Sequence, residues 1–279
     1  MVKNLKSSQW LSENKEDVII LDSGIVKPGE SGDYQPAAII PGALRFDISH
    51  TFSDHTSTLP NMMCSSRVFQ AEARQLGINN SDTLIVYDDK GLFSAARAWW
   101  MFKSMGFEHV YVLDGGLKHW QACGFDTVSD YVSAQNLGNF TAKPKPHFFI
   151  NHKTVLTGIN CQDTLLFDAR GATRFEGKGS EPRQGRQGHI PNSVNLPYSS
   201  LLTEEGLLKP VSEIAERLAS LGAESNKTML QFSCGSGVTA CILALAATEC
   251  GYTRLQVYDG SWSEWSKLEG APIDIGPSY

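Results

Sequence analysis

The chain has little that would commit it to a membrane, a nucleic acid or a secreted scaffold. No stretch approaches the roughly 20 apolar residues of a membrane span. The first ten residues, Met-Val-Lys-Asn-Leu-Lys-Ser-Ser-Gln-Trp, hold neither an apolar run of signal-peptide length nor an arginine-rich presequence. Charge surplus is small: 24 Lys and Arg against 30 Asp and Glu give a net −6. No positive field is therefore available for nucleic acid or an anionic lipid surface. Cysteine is sparse as well. The six residues, at 64, 123, 161, 234, 241 and 250, include no Cys-x-x-Cys pair and no framework spacing, which argues against a zinc site and a disulfide-stapled fold. The expectation is a cytoplasmic, reducing compartment, with no nucleic-acid or membrane partner and no metal.

What is present has the length of two domains. The 279 residues are 41% apolar, enough for ordinary cores. Apolar runs at Asp17 to Leu21, Thr83 to Tyr87 and His109 to Leu113 predict strands. Helical spacing over Arg67 to Leu76, Leu92 to Met105 and Gly116 to Ala122 predicts helices, the first opened by Ser65 and stopped by Gly77. Such alternation implies parallel α/β units. From 129 to 150 the chain turns polar, Gly- and Pro-bearing and aperiodic, which predicts a linker between an N-terminal domain, 1–128, and a C-terminal domain, 151–279.

Beyond that linker the order of elements returns. Leu84-Ile-Val-Tyr87 is answered by Met229-Leu-Gln-Phe232, Gly106-Phe107 by Gly251-Tyr252, Val112-Leu-Asp-Gly115 by Val257-Tyr-Asp-Gly260, and Trp120 by Trp265, in one ungapped register. Two homologous domains follow. The register sets Asp89 opposite Cys234, so a nucleophile is expected in the second copy alone.

Chemistry is concentrated in Ser233-Cys-Gly-Ser-Gly-Val-Thr-Ala240. A strand precedes it, and small and aliphatic residues at helical spacing follow from Thr239 to Cys250. Glycines at 235 and 237 permit a tight turn. Backbone N–H groups of such a turn, running into a helix N-terminus, favour negative charge within the loop. Since the thiolate is the attacking form of cysteine, Cys234 is the candidate nucleophile. Cys241 and Cys250 are expected in the core, Trp99, Trp100, Trp262 and Trp265 in the core or between domains, and His189 at a turn.

Several motifs together resemble tandem rhodanese domains over essentially the whole chain, and within them the 3-mercaptopyruvate sulfurtransferases. They are Cys234-Gly-Ser-Gly-Val-Thr239, Asp168-Ala-Arg170, Thr173-Arg-Phe175, Glu181-Pro-Arg183, Gly188-His-Ile-Pro191 and, in the first half, Ser94-Ala-Ala-Arg-Ala-Trp-Trp100 with Leu113-Asp-Gly-Gly116. The resemblance implies two α/β domains, each a mainly parallel sheet flanked by helices, the first non-catalytic and the second catalytic. Rhodaneses that use thiosulfate look similar but place two basic residues directly after the cysteine, where this chain has Gly235 and Ser236. A neutral pair removes charge that would hold a compact dianion, whereas a monoanionic keto acid needs less.

The implied mechanism carries sulfur from a small-molecule donor, through a Cys234 persulfide, to a thiol acceptor such as a small thiol or a thioredoxin-like protein, or to cyanide. It needs no cofactor. The implied site residues are Cys234 and Ser236 for chemistry, Gly235, Gly237, Val238 and Thr239 in the substrate-binding loop, and Arg174 and Arg183 for the substrate carboxylate and carbonyl, which arginine's planar fork suits. The family links the serine to a histidine and an aspartate of the first domain. Asp54, in Phe52-Ser-Asp-His-Thr-Ser57, stands at the aspartate position, but Asn61 stands where the histidine belongs. Asparagine neither gives nor takes a proton near neutral pH. His55, an isolated loop histidine, is expected in solvent. Three other readings stay open: a thiosulfate sulfurtransferase, a non-catalytic sulfur carrier or regulatory module, and a cysteine-dependent phosphatase. The last needs an arginine closing the loop, and the sixth residue after Cys234 is Ala240.

Overall fold

The computed structural model describes residues 4–30, 32–224 and 228–277. The first half runs β1 (Leu5–Lys6), α1 (Ser8–Asn14), β2 (Ile19–Asp22), β3 (Ala43–Arg45), α2 (Ser66–Gln75), β4 (Leu84–Tyr87), α3 (Ala95–Ser104), β5 (Val110–Leu113) and α4 (Gly116–Ala122). The second runs β6 (Phe149–Ile150), α5 (His152–Gly158), β7 (Thr164–Asp168), α6 (Ala172–Phe175), β8 (Val194–Asn195), α7 (Val211–Ser220), β9 (Met229–Ser233), α8 (Ala240–Glu249), β10 (Leu255–Tyr258) and α9 (Ser261–Trp265). Each half forms one parallel five-stranded sheet, ordered β1-β5-β4-β2-β3 and β6-β10-β9-β7-β8. The α/β class with two matching sheets is thus what the alternation implied. Ala95 answers to Ala240 and Ser104 to Glu249, an offset of 145 residues that α2 and α7 also keep.

Local chemistry accounts for the elements. β4 is buried at all four positions, the pattern of a strand with helices on both faces. α2 begins where the Ser65 hydroxyl accepts from Val68 N–H and ends where Gly77 takes a left-handed φ of 75°. α8 is buried on every side because α3 of the first half packs against it. Its Ile242, Leu243 and Leu245 each gain roughly 1.5–3 kcal/mol from burial. One apolar cluster runs from Leu21, Phe46 and Phe69 through Trp99 to Phe232 and Cys234, so the core is continuous across the two halves.

Residues 129–150 are not a free tether. Val132 N–H donates to Ala43, Gly138 to Arg74, Phe140 to Ile78 and Lys143 to Met105, and Phe140 is buried in the first core. The last two residues of this segment, Phe149 and Ile150, form β6 and pair with β10. The polar composition concealed a strap laid along the first domain, anchored by backbone bonds and one phenylalanine. Among the described residues no helix is long and apolar enough to cross a membrane.

Candidate active site

β9, in the middle of its sheet, delivers Cys234 to the C-terminal end of the strands, where open parallel sheets bind ligands. Residues at the start of α9 hold the outer backbone of the loop. Cys234 N–H donates to Ser261 Oγ (3.1 Å), Trp262 N–H to the Cys234 carbonyl (3.0 Å), and Ser263 N–H and Oγ–H to the Gly235 carbonyl (2.9 and 2.6 Å). The N–H groups of residues 235–238 bond to no described protein acceptor. Gly237 is left-handed (φ 71°), and a β-carbon there would lie 2.6 Å from the Asp259 carbonyl, so only glycine fits.

The first domain shows what such a loop binds. Its counterpart strand, β4, leads directly into Asp88, whose Oδ2 accepts from the N–H groups of Phe93, Ser94 and Ala95 (2.8, 2.8 and 2.9 Å) while Oδ1 accepts from Lys90 N–H (2.9 Å). There the cradle is filled by an internal carboxylate. In the second domain Ser233 occupies the register position of Asp88, and the cysteine follows it. The same loop architecture is therefore left to a sulfur side chain.

Two guanidinium groups lie over Gly235: a β-carbon there would sit 3.4 Å from Arg174 Nη2 and 3.7 Å from Arg183 Nη1. Their partners differ. Arg174 bonds Glu181 through Nη2 (2.6 Å), and Arg170, buried and paired with Asp168, holds the other Glu181 oxygen at 2.9 Å. Arg183 makes no hydrogen bond or salt bridge with any described residue. Burial pulls its pKa below the usual arginine value; the Cys234 sulfur opposes that shift, and Arg174 adds to it. A partly buried, unpaired cation beside the cysteine is a place for an anion. The cleft above the cysteine measures about 210 Å3 and is lined by Cys234, Gly235, Ser236, Val238, Thr239 and both arginines. Its other wall, which the sequence did not reveal, comes from the first domain and one later loop: Lys27 lies 5.5 Å over the Phe93 ring, and Phe93 meets Tyr198 edge-on.

The relay expected at Asp54 is not assembled. Asp54 accepts from Thr56 N–H (2.9 Å) and Thr56 Oγ1–H (2.7 Å), bonds that hold its carboxyl below the usual range, and none joins it to Ser236. The tight local turn consumes the side chain. His55 is exposed. Asn61 does reach the site: its Nδ2 donates to Ser236 Oγ at 3.2 Å, and its Oδ1 accepts from Ser49 at 3.0 Å. Ser236 therefore keeps its own proton to donate into the cleft. His189 stacks on Phe175 and bonds its carbonyl, a turn-fixing role. Among the described residues no group of three or more His, Cys, Asp or Glu is placed to hold a metal ion.

Cys234 is itself only 2% exposed but lines the cleft, which the equally buried Cys64 and Cys241 do not. Burial pushes Cys64 and Cys241 up to about 12, so both stay protonated throughout the neutral range. Iodoacetamide at neutral pH is expected to label Cys234 and the exposed Cys123 and Cys161 in the folded protein, and Cys64 and Cys241 only after denaturation. Peptide mapping of the labelled protein checks this; rapid native labelling of Cys241 would contradict it.

Two sheets of one topology, only the second ending in a glycine-flanked cysteine under paired arginines, define a tandem α/β protein with a single cysteine-loop site. The chain belongs to the rhodanese-like domain family, which it matches twice, over residues 7–123 and 151–268. It is 38% identical to the 3-mercaptopyruvate sulfurtransferase of Escherichia coli (strain K12), over 96% of each chain. It is 37% identical to thiosulfate/3-mercaptopyruvate sulfurtransferase 1, mitochondrial, of Arabidopsis thaliana, over 96% of this chain and 77% of that one. The crystal structure of Escherichia coli SseA, described as showing the rhodanese fold and catalytic mechanism of 3-mercaptopyruvate sulfotransferases, matches with a TM-score of 0.83 and 36% identity, over 93% of this chain and 99% of that one.

Proposed function

We propose that the protein is a sulfurtransferase that takes sulfur from 3-mercaptopyruvate, carries it as a Cys234 persulfide and passes it to a thiol. The observation that carries the donor assignment is the charge next to the sulfur: the two residues after Cys234 are the neutral Gly235 and Ser236, Glu181 compensates Arg174, and Arg183 is the unpaired guanidinium over that pair, while the Lys27 ammonium stands on the far wall beside Phe93. That suits a monoanion. The Arg183 fork takes the donor carboxylate with Arg174 alongside, and the Ser236 hydroxyl donates to its carbonyl. The Cys234 thiolate attacks the donor sulfur. An S–S bond forms, the C–S bond breaks, and its electron pair moves onto the pyruvate enolate, which then takes a proton at carbon. The loop amides face the anionic outer sulfur. A thiol acceptor, small or borne on a thioredoxin-like protein, attacks that outer sulfur and regenerates Cys234. Six cysteines without a disulfide among them fit a reducing compartment, for which we propose the cytoplasm.

Steady-state kcat/KM for mercaptopyruvate and for thiosulfate, with Cys234→Ser as the blank, tests the donor. Mercaptopyruvate is expected to be preferred; a clear thiosulfate preference would overturn the donor and leave the family in place.

Asn61 bears on the proton. Because the Ser49–Asn61–Ser236 chain contains no group that titrates near neutrality, Asn61→His is expected to raise kcat with mercaptopyruvate by about tenfold and to add a histidine ionisation to the pH profile. Asn61 has a left-handed φ of 59°, which histidine tolerates better than most residues. An unchanged kcat would show that proton delivery does not limit turnover.

A further inference from the structure

The first domain keeps the fold without the cysteine, and its service to the site is visible where the halves meet. Their shared register gives contacts across the seam their pseudo-twofold mates. Asp259 Oδ2 accepts from Met63 N–H at 2.8 Å, and Asp114 Oδ1 accepts from Leu208 N–H at 2.9 Å. Asn61, at φ 59°, meets Ser236; Gly206, at φ 84°, approaches Gly91. Each of these four pairs of positions is related by the offset that joins α3 to α8.

One contact has no mate. Arg97, on α3, is fully buried. Its Nη2 donates to the Asn61 carbonyl and lies against Asp259 Oδ1, each at 2.7 Å, and its Nη1 donates to the Gly237 carbonyl at 3.2 Å. The register partner of Arg97 on α8 is the buried, apolar Ile242, and on the non-catalytic side Gly91 and Gly206 approach each other directly. A buried guanidinium is costly to desolvate, and an apolar group often serves the seam equally well. The chain uses the apolar solution on one side and keeps the charged one where Cys234 lies.

We propose that Arg97 is a positioning residue through which the first domain holds the Cys234 loop in its working shape. This rests on the reading of that loop as the place of sulfur transfer. In a trans peptide the carbonyl and the following N–H point in opposite directions. The Gly237 carbonyl is held from its own domain by Cys241 Sγ–H (3.3 Å) and from the other domain by Arg97, and fixing it on the seam turns Val238 N–H the other way, toward the inside of the loop. The same guanidinium grips the backbone of Asn61, whose side chain touches Ser236. One buried group thus ties together an amide of the cradle and the partner of the hydroxyl.

Arg97→Lys keeps a charge beside Asp259, but one ammonium cannot span both carbonyls. The control is Asp114→Ala, which cuts the non-catalytic mate of the Asp259–Met63 contact that lies beside Arg97. For Arg97→Lys, kcat for pyruvate release from mercaptopyruvate is expected to fall roughly tenfold with KM changed less than about twofold, since Arg174 and Arg183 belong to the second domain. Asp114→Ala is expected to leave kcat unchanged, whatever it does to the thermal midpoint. Should Arg97→Lys not fold, Arg97→Met with Asp259→Asn removes both buried charges together and carries the same expectation. An unchanged kcat in the Arg97 variant, or an equal loss in Asp114→Ala, overturns the proposal and makes the seam merely structural. If the wild-type protein uses thiosulfate and not mercaptopyruvate, the donor reading fails, and the same comparison run with thiosulfate still decides Arg97.

Discussion

Cys234→Ser is expected to reduce pyruvate release from mercaptopyruvate by at least about 1,000-fold, because a serine hydroxyl is not ionised near neutral pH and cannot carry the outer sulfur. The fold gives this variant a clean reading. The hydrogen bonds of residue 234 are made by its backbone, to Ser261 and from Trp262, and survive the change of one atom. The thermal midpoint should therefore stay near that of the wild type while turnover disappears. A coupled assay for pyruvate, with circular dichroism on the same sample, measures both. Turnover within tenfold of wild type would place the chemistry on another thiol, although Cys241 and Cys64 are both buried and held protonated.

The second large effect is expected at Arg183. Arg183→Gln removes the uncompensated guanidinium of the cleft, and a charge-assisted bidentate contact is worth about 1.5–3 kcal/mol per hydrogen bond. KM for mercaptopyruvate should rise about 100-fold, with a much smaller change in kcat, as the arginine binds the donor's carboxylate and not the breaking C–S bond. Arg174→Gln should cost less, because its charge is already shared with Glu181, which Arg170 holds from the other side. Arg183→Lys should fall between, keeping charge without the fork. Steady-state kinetics of the three variants give the ranking. An unchanged KM in Arg183→Gln would remove this residue from donor recognition.

How far the site was legible in the sequence depended on the distance over which each residue acts. Strands such as Leu84–Tyr87 and Val110–Leu113 follow from short apolar runs, and α8 from small and aliphatic spacing, since these patterns are set by local burial. The cysteine loop was legible too, because glycine spacing is a backbone requirement. β6 was hidden inside a polar stretch: two residues at a sheet edge leave no period to detect. Asp54 illustrates the opposite error. Its position matched the family relay, yet a hydrogen bond to a residue two places on took the carboxylate away. Lys27, Phe93 and Tyr198 reach the cleft only because two domains and separate loops converge, and nothing in their own neighbourhoods announces it. Arg97 lay within a recognised motif, but its task appears only when the two halves are superimposed in register and the contact is found on one side alone.

That Cys234 itself carries the sulfur is tested most directly by mass spectrometry of the wild-type protein after brief treatment with mercaptopyruvate and no acceptor. The expected result is an added mass of about 32 Da, one sulfur atom, on the peptide holding Cys234, lost again on adding a thiol and absent from Cys234→Ser. Pyruvate released without that adduct, or the same mass found on a different cysteine, would contradict it.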